Sequence, residues 1–203
     1  MLNVPASKDH YSFIMGYSND RPIKMAGQKI VVILGSASDL SFAHRVGDFL
    51  SRSRFQVECE YKISSAHRNT EKLLEDLKTY ELSGGRIVYI TIAGLSDALS
   101  GIVAGNSKHP VLACPPDLER HGFPKAFSSM MMPTGIAVSL VASPENAALI
   151  AVKTLALCDS SLMKRVNEYM NELRSTVAKA DADLKSGKVK GAPKTQSMPA
   201  SDR

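Results

Sequence analysis

His67 and Arg68 stand side by side in the segment Ser64-Ser65-Ala66-His67-Arg68. An imidazole titrates near neutrality and moves protons at physiological pH. A guanidinium forks onto phosphate or carboxylate oxygens. A lone loop histidine is usually just solvated, but a His-Arg pair beyond the end of a strand favours a site. A second segment, Gly35-Ser36-Ala37-Ser38-Asp39, brings two hydroxyls and several backbone N–H groups to a helix start, an arrangement suited to phosphate. Asp39 can accept hydrogen bonds from ribose hydroxyls. An ordinary β–α turn capped by Ser38 or Asp39 fits these residues equally well. A third segment runs Gly94-Leu95-Ser96-Asp97-Ala98-Leu99-Ser100-Gly101. Its glycines and serines let backbone approach a flat ligand closely. It also reads as a flexible loop in which Asp97 caps the next helix.

The other candidates carry less. His44 and His109 read as structural, and the role of Arg120 and His121, in a Gly/Pro-containing loop, stays open. Met130-Met131-Met132-Pro133 reads as core filling at a helix end. Cys59, Cys114 and Cys158 are an odd, widely spaced set with neither metal spacing nor a disulfide framework. A reducing, cytoplasmic setting suits them. The sequence has no GxGxxG, HExxH or P-loop. It therefore gives no support to dinucleotide, ATP or metal chemistry, and no cofactor is expected.

The three segments follow apolar runs that read as strands. Residues 29–34 (KIVVIL) and 86–93 (RIVYITIA) are short, β-branched and almost wholly apolar, the pattern of strands buried on both faces. Residues 55–63, 110–114 and 135–141 supply three more strands. Between them, Leu40, Ala43, Val46, Phe49 and Leu50 recur at helical spacing. Residues 70–80 repeat Leu73, Leu74 and Leu77 before Ser83-Gly84-Gly85 ends the helix. Residues 94–101 lead into a short helix ending near Gly105-Asn106. Ser143-Pro144 looks like a cap with proline at the first helical position, opening a helix over 146–157. A last, more polar helix spans 159–184, and its stripe of Leu162, Val166, Tyr169 and Leu173 needs a partner surface.

Strands alternating with helices predict a three-layer α/β/α sandwich around a parallel five-stranded sheet, flavodoxin-like in type, plus a C-terminal helix. Ligands in such sheets bind beyond the carboxyl ends of the strands, near the switch in strand order. That is where the three segments fall. The expected organisation is an N-terminal extension (1–28), a catalytic domain (29–158), a helix packing on the domain or on a neighbouring subunit (159–184) and a disordered basic tail (185–203).

The chain has 203 residues and a net charge of +5, which raises nucleic acid as a partner. Lys185, Lys188, Lys190, Lys194 and Arg203 against Asp202 put most of that charge in the tail. The body between residues 29 and 184 is neutral, so it has no basic face to neutralise phosphates along a nucleic acid. No apolar run approaches the roughly 18 residues of a membrane span. Residues 1–28 lack the apolar core of a secretory signal.

Six blocks occur in order: Gly35-Ser36-Ala37-Ser38-Asp39, Ser65-Ala66-His67-Arg68, Ala93-Gly94 with Ala98-Leu99-Ser100-Gly101, Ala113-Cys114-Pro115-Pro116, Met132-Pro133-Thr134-Gly135 and Ser143-Pro144-Glu145-Asn146-Ala147-Ala148. This set, covering roughly residues 29–158, resembles phosphoribosylaminoimidazole carboxylase. The Ala-Leu-Ser-Gly, Cys-Pro-Pro and Ser-Pro-Glu-Asn blocks look like class II, the branch that fixes carbon dioxide directly. Class I instead rearranges an N-carboxy ribonucleotide. Arg68 stands where class II usually has lysine and class I arginine. Leu95 and Asp97 stand where class II usually has arginine and asparagine.

The resemblance implies purine biosynthesis, with His67 moving the proton. Ser36, Ser38 and Arg68 would hold the 5′-phosphate and Asp39 the ribose. The wider substrate site would add Gly35, Ser65, Ala66, Gly94, Ser96, Asp97, Ala98 and Leu99. The third loop would enclose carbon dioxide. The resemblance further implies a homo-oligomer, commonly an octamer, with a small-molecule substrate. Two other functions compete: the class I mutase on the same fold, and an altered nucleotide-binding paralogue.

Overall fold

Strand β1 (Gln28–Leu34) turns the most apolar run of the chain into the centre of the molecule, with Ile30 through Leu34 wholly buried. Only a strand covered on both faces hides successive residues in this way. The computed structural model describes residues 27–116, 118 and 122–188. After β1 come α1 (Leu40–Arg52), β2 (Glu58–Ile63), α2 (Thr70–Leu82), β3 (Arg86–Ile92) and α3 (Ala98–Gly105). They are followed by β4 (Val111–Ala113), α4 (Phe123–Met130), β5 (Ser139–Leu140), α5 (Pro144–Ala156) and α6 (Ser160–Lys185).

The sheet has the order β2-β1-β3-β4-β5, and every neighbouring pair is parallel. It is the expected five-stranded, flavodoxin-like α/β sandwich with a C-terminal helix. Alternation along the strands divides the core. Ile30, Val32, Leu34, Val88, Ile90 and Ile92 face α1, α5 and the start of α6. Val31, Ile33, Ile87 and Tyr89 face α2 and α3. Each such side chain is worth about 1.5–3 kcal/mol when fully buried.

The first half of α6 finds its partner surface on its own domain. Leu162 and Val166 are buried. The Tyr169 ring packs edge-on against Phe49 and Phe55, with centroids 5.8 and 5.4 Å away. Arg165 donates to the Ser53 carbonyl from Nε at 3.0 Å and Nη2 at 2.7 Å. Leu173, the last residue of the expected stripe, remains 44% exposed.

Several boundaries and placements differ from expectation. β2 begins at Glu58, not 55, because the chain first closes α1: Arg54 adopts φ 57° and Phe55 N–H donates to the Leu50 carbonyl at 2.9 Å. β5 keeps only two residues of the expected 135–141. Gly135 at φ 95° and the bond from Ile136 N–H to the Pro133 carbonyl (3.0 Å) form a turn there instead. Met130 and Met131 do not fill the core. They are 52% and 76% exposed, because α4 ends at the rim of the sheet and Met131 serves as its C-cap. His44 is exposed, edge-on to Tyr61, while His109 lies 4.0 Å from Glu81. Burial pushes the Cys114 thiol up to about 12. No described helix is long and apolar enough to cross a membrane. Arg120, His121, residues 1–26 and residues 189–203 lie outside the described residues, and with them most of the expected extension and tail.

Candidate active site

Register brings the three segments together. Leu34 at the end of β1 pairs with Ile63 of β2 on one side and Ile92 of β3 on the other. All three strands therefore end level. The loops are laced at their roots by Ser64 N–H to the Leu34 carbonyl and Gly35 N–H to the Ile92 carbonyl, both 2.9 Å. Because β2 and β3 flank β1 on opposite sides, the loops diverge and leave a crevice at the switch in strand order. That crevice is an open cleft of about 890 Å³.

The first loop lines it with Gly35, Ser36, Ser38 and Asp39. Ser36 caps a single 3₁₀ turn, its Oγ accepting from Ser38 N–H at 3.3 Å and from Ser38 Oγ at 2.8 Å. The two hydroxyls are thus held together where α1 begins. Asp39 occupies the N-cap position of α1 without a side-chain cap bond.

In the second loop, Ala66 is buried against the sheet and Thr70 Oγ1 donates to its carbonyl at 2.5 Å. Ser65 Oγ accepts from Arg68 N–H at 3.3 Å, and Asn69 caps α2 by accepting from Lys72 N–H at 3.2 Å. A tight turn with a buried foot results, and it carries exposed His67 and Arg68 at its tip. Ser65, Ala66, His67 and Arg68 all line the cleft.

The third loop contributes Ala93, Gly94, Leu95, Ser96 and Leu99. Leu95 sits in the left-handed region at φ 54°, uncommon for a branched side chain, and is 70% exposed. Asp97 turns the other way. It is 5% exposed and caps α3, accepting from Ser100 N–H at 3.0 Å and Ser100 Oγ at 2.6 Å. Ser129 Oγ donates to the same carboxylate at 2.6 Å, and Asp97 N–H donates to Ser128 Oγ at 2.6 Å. Thr91 and Ser100 hydroxyls, 2.7 Å apart, extend the network to β3. The structure thus places Asp97 and Ala98 outside the cleft lining expected of them, and gives Asp97 the capping role.

Sequence reasoning missed Ser128 and Ser129 because their link to the third loop spans some thirty residues and exists only in the fold. Pro116 also lines the cleft. Its signal was visible in Pro115-Pro116 directly after a strand. Among the described residues no group of three His, Cys, Asp or Glu side chains is placed to hold a metal ion.

An all-parallel sheet with a polar cleft at its switch point places the chain among the doubly wound α/β proteins, a class that binds small ligands at that position. More specifically, the chain belongs to the AIR carboxylase family, which matches it over residues 29–176. It is 40% identical to the phosphoribosylaminoimidazole carboxylase of Archaeoglobus fulgidus over 159 residues, 78% of this chain and 86% of that one. It is 37% identical to the N5-carboxyaminoimidazole ribonucleotide mutase of Methanocaldococcus jannaschii over 158 residues, 77% of this chain and 97% of the other. The crystal structure of Treponema denticola PurE superimposes with a TM-score of 0.74 at 35% identity, covering 78% of this chain and 99% of that one. The chain is an enzyme of this family.

Proposed function

We propose that the enzyme joins carbon dioxide to C4 of 5-aminoimidazole ribonucleotide, giving the 4-carboxy product of purine biosynthesis. The observation that carries this reading is the cleft's set of ionisable groups: Asp39, His67 and Arg68 are its titratable side chains. One anion receptor, one ribose acceptor and one proton carrier match the parts of that substrate. Ser36, Ser38 and Arg68 take the 5′-phosphate, and Asp39 takes the ribose hydroxyls. The third loop covers the reacting carbon.

The chemistry asks little more. The aminoimidazole ring is electron-rich, so C4 attacks the carbon of carbon dioxide directly. The new C–C bond leaves C4 tetrahedral with its hydrogen still attached. His67 removes that proton, the C–H electrons return to the ring, and aromaticity is restored. The protein holds two reactants in register and keeps water from competing. The cytoplasm is the proposed location.

The mutase activity is a second reading, favoured by Arg68, the residue usual in class I, and by similarity to the Methanocaldococcus enzyme. Initial rates with aminoimidazole ribonucleotide plus bicarbonate, against rates with the N-carboxy substrate, separate the two. Turnover of the N-carboxy compound alone would replace the carboxylase reading. Nucleotide binding without turnover of either would favour the altered paralogue.

A further inference from the structure

Leu95 occupies a backbone conformation that its side chain disfavours. Its φ of 54° lies in the left-handed region. There the Cβ crowds the following carbonyl, and glycine or asparagine fits far more readily than a branched side chain. The glycine of this turn falls one residue earlier, at Gly94. Fixed points on both sides impose the conformation on Leu95. Ala93 is buried just after β3, and Asp97, two residues on, is buried and bonded to Ser100, Ser128 and Ser129. Strain of this kind persists where the surrounding structure over-determines a residue, and it collects at ligand sites. Leu95 lines the cleft.

The cleft is divided by polarity. Its charged lining residues, Asp39, His67 and Arg68, come from the first two loops. Among the described residues the third loop brings no charge to the lining, and its two large side chains there are Leu95 and Leu99. Leu99 is only 1% exposed. Leu95 is therefore the large apolar group that this loop offers a ligand.

The two reactants of the proposed carboxylation divide the same way. A ribonucleotide carries a phosphate and hydroxyls, which need donors and acceptors. Carbon dioxide is small and neutral and has no hydrogen to donate, so apolar carbon holds it by dispersion. Bicarbonate carries a charge, and against an apolar wall it would lose hydration with nothing to replace it.

We infer that Leu95 is a specificity-determining residue of this enzyme: its isobutyl group walls the place where the carboxyl donor meets C4 and selects neutral carbon dioxide over bicarbonate. The inference rests on the carboxylase reading and assigns the donor's selection to one side chain of the third loop.

Full-length Leu95→Asn, Leu95→Gly and Leu95→Met variants test it, beside the wild type. Asparagine has similar reach and tolerates the left-handed region, but it is polar. Methionine keeps an apolar wall. Fixation of labelled carbon dioxide is followed at saturating nucleotide, with carbonic anhydrase present to hold it in equilibrium with bicarbonate. In Leu95→Asn and Leu95→Gly the KM for carbon dioxide is expected to rise at least about tenfold, the lower end for lost apolar contact in a pocket. Their KM for the nucleotide should stay within about twofold of wild type, since the nucleotide's phosphate and ribose are held by the other loops. Their urea midpoints should equal or exceed that of the wild type, because the strain is relieved. Leu95→Met should keep the KM for carbon dioxide near that of the wild type. An unchanged KM for carbon dioxide in Leu95→Asn would overturn the inference, and so would an equal rise in both KM values, which a displaced loop would give. Without the anhydrase, wild-type reactions started with dissolved carbon dioxide should begin faster than those started with bicarbonate, and equal starts would overturn the selection. Failure of the carboxylase reading itself looks different: the wild type would then fix no label while turning over the N-carboxy substrate.

Discussion

Asp97 Oδ2 accepts a hydrogen bond from Ser129 Oγ at 2.6 Å, joining the third loop of the cleft to a helix 32 residues further along. The same carboxylate caps α3 through Ser100. One buried side chain therefore fixes where Gly94, Leu95 and Ser96 stand over the cleft. Asp97→Ala removes a helix cap, about 0.5–2 kcal/mol. It also strands the buried Ser129 hydroxyl, adding about 1–3 kcal/mol if it stays unpaired, while Ser100 keeps the Thr91 hydroxyl. A lower urea midpoint and a raised KM are expected together. Asp97→Asn keeps an acceptor for Ser100 N–H and should recover most of both. If Asp97→Ala lowers stability but leaves KM unchanged, the network does not set the loop.

Arg68 forms no ion pair with a carboxylate among the described residues and stands on a turn whose backbone is fixed by Ser65 and Asn69. Among the described residues lining the cleft, its guanidinium is the one permanent positive charge. Arg68→Ala should raise KM for the nucleotide about ten- to a hundredfold, the cost of a charge-assisted bidentate contact. The turnover number should change much less, since the phosphate does not react. Steady-state kinetics over nucleotide concentration measure both, and an unchanged KM would remove Arg68 from phosphate binding.

The parts of this fold legible in the sequence are those where one local pattern decides. β1 and β3 announce themselves because burial on both faces demands an unbroken apolar run. The three loops follow from them, since a parallel sheet presents its strand ends on one edge. β5 is shorter than its pattern suggests: Gly135, Ile136 and Val138 are apolar or small enough for a strand, but the turn at Gly135 consumes half of the segment. Asp97 fits both a ligand contact and a cap on spacing alone. Only the distant Ser128 and Ser129 decide between these, and no local pattern announces them.

His109 makes stability depend on pH. Burial lowers its pKa below the ordinary histidine value and Lys108 adds to the effect, while Glu81 at 4.0 Å opposes them. Tyr89 packs against the ring. The unfolded chain then binds a proton on this residue more readily than the folded one. The contribution is complete above the unfolded pKa of about 6.5 and is lost as pH falls through the lowered folded value. Urea midpoints of the wild type should therefore drop between pH 7.5 and 5, and those of His109→Gln should drop less. Parallel curves for the two proteins would assign the loss to other groups.

The proposed reaction assigns the chemical step to His67. Once C4 has gained its carboxylate, one proton must leave the tetrahedral carbon before the ring is aromatic again. The titratable side chains among the described residues lining the cleft are Asp39, His67 and Arg68; a guanidinium is no general base, and a carboxylate is intrinsically a weaker base than an imidazole. An imidazole, with a reference pKa of about 6.5, is matched to taking a proton near neutrality and returning it to water. Position agrees with chemistry, because the turn that presents His67 has a buried foot at Ala66 and a capped exit at Asn69. His67→Asn keeps a polar side chain of similar reach, so the fold and nucleotide binding should survive. Turnover should fall at least about a hundredfold, the lower end for a positioned general base. Nucleotide binding by calorimetry and kcat are to be measured on one preparation, so that misfolding cannot imitate the effect. If turnover stays within a few-fold of wild type while binding is intact, His67 does not take the proton. Asp39, the carboxylate among the described residues lining the cleft, is then the residue to replace next.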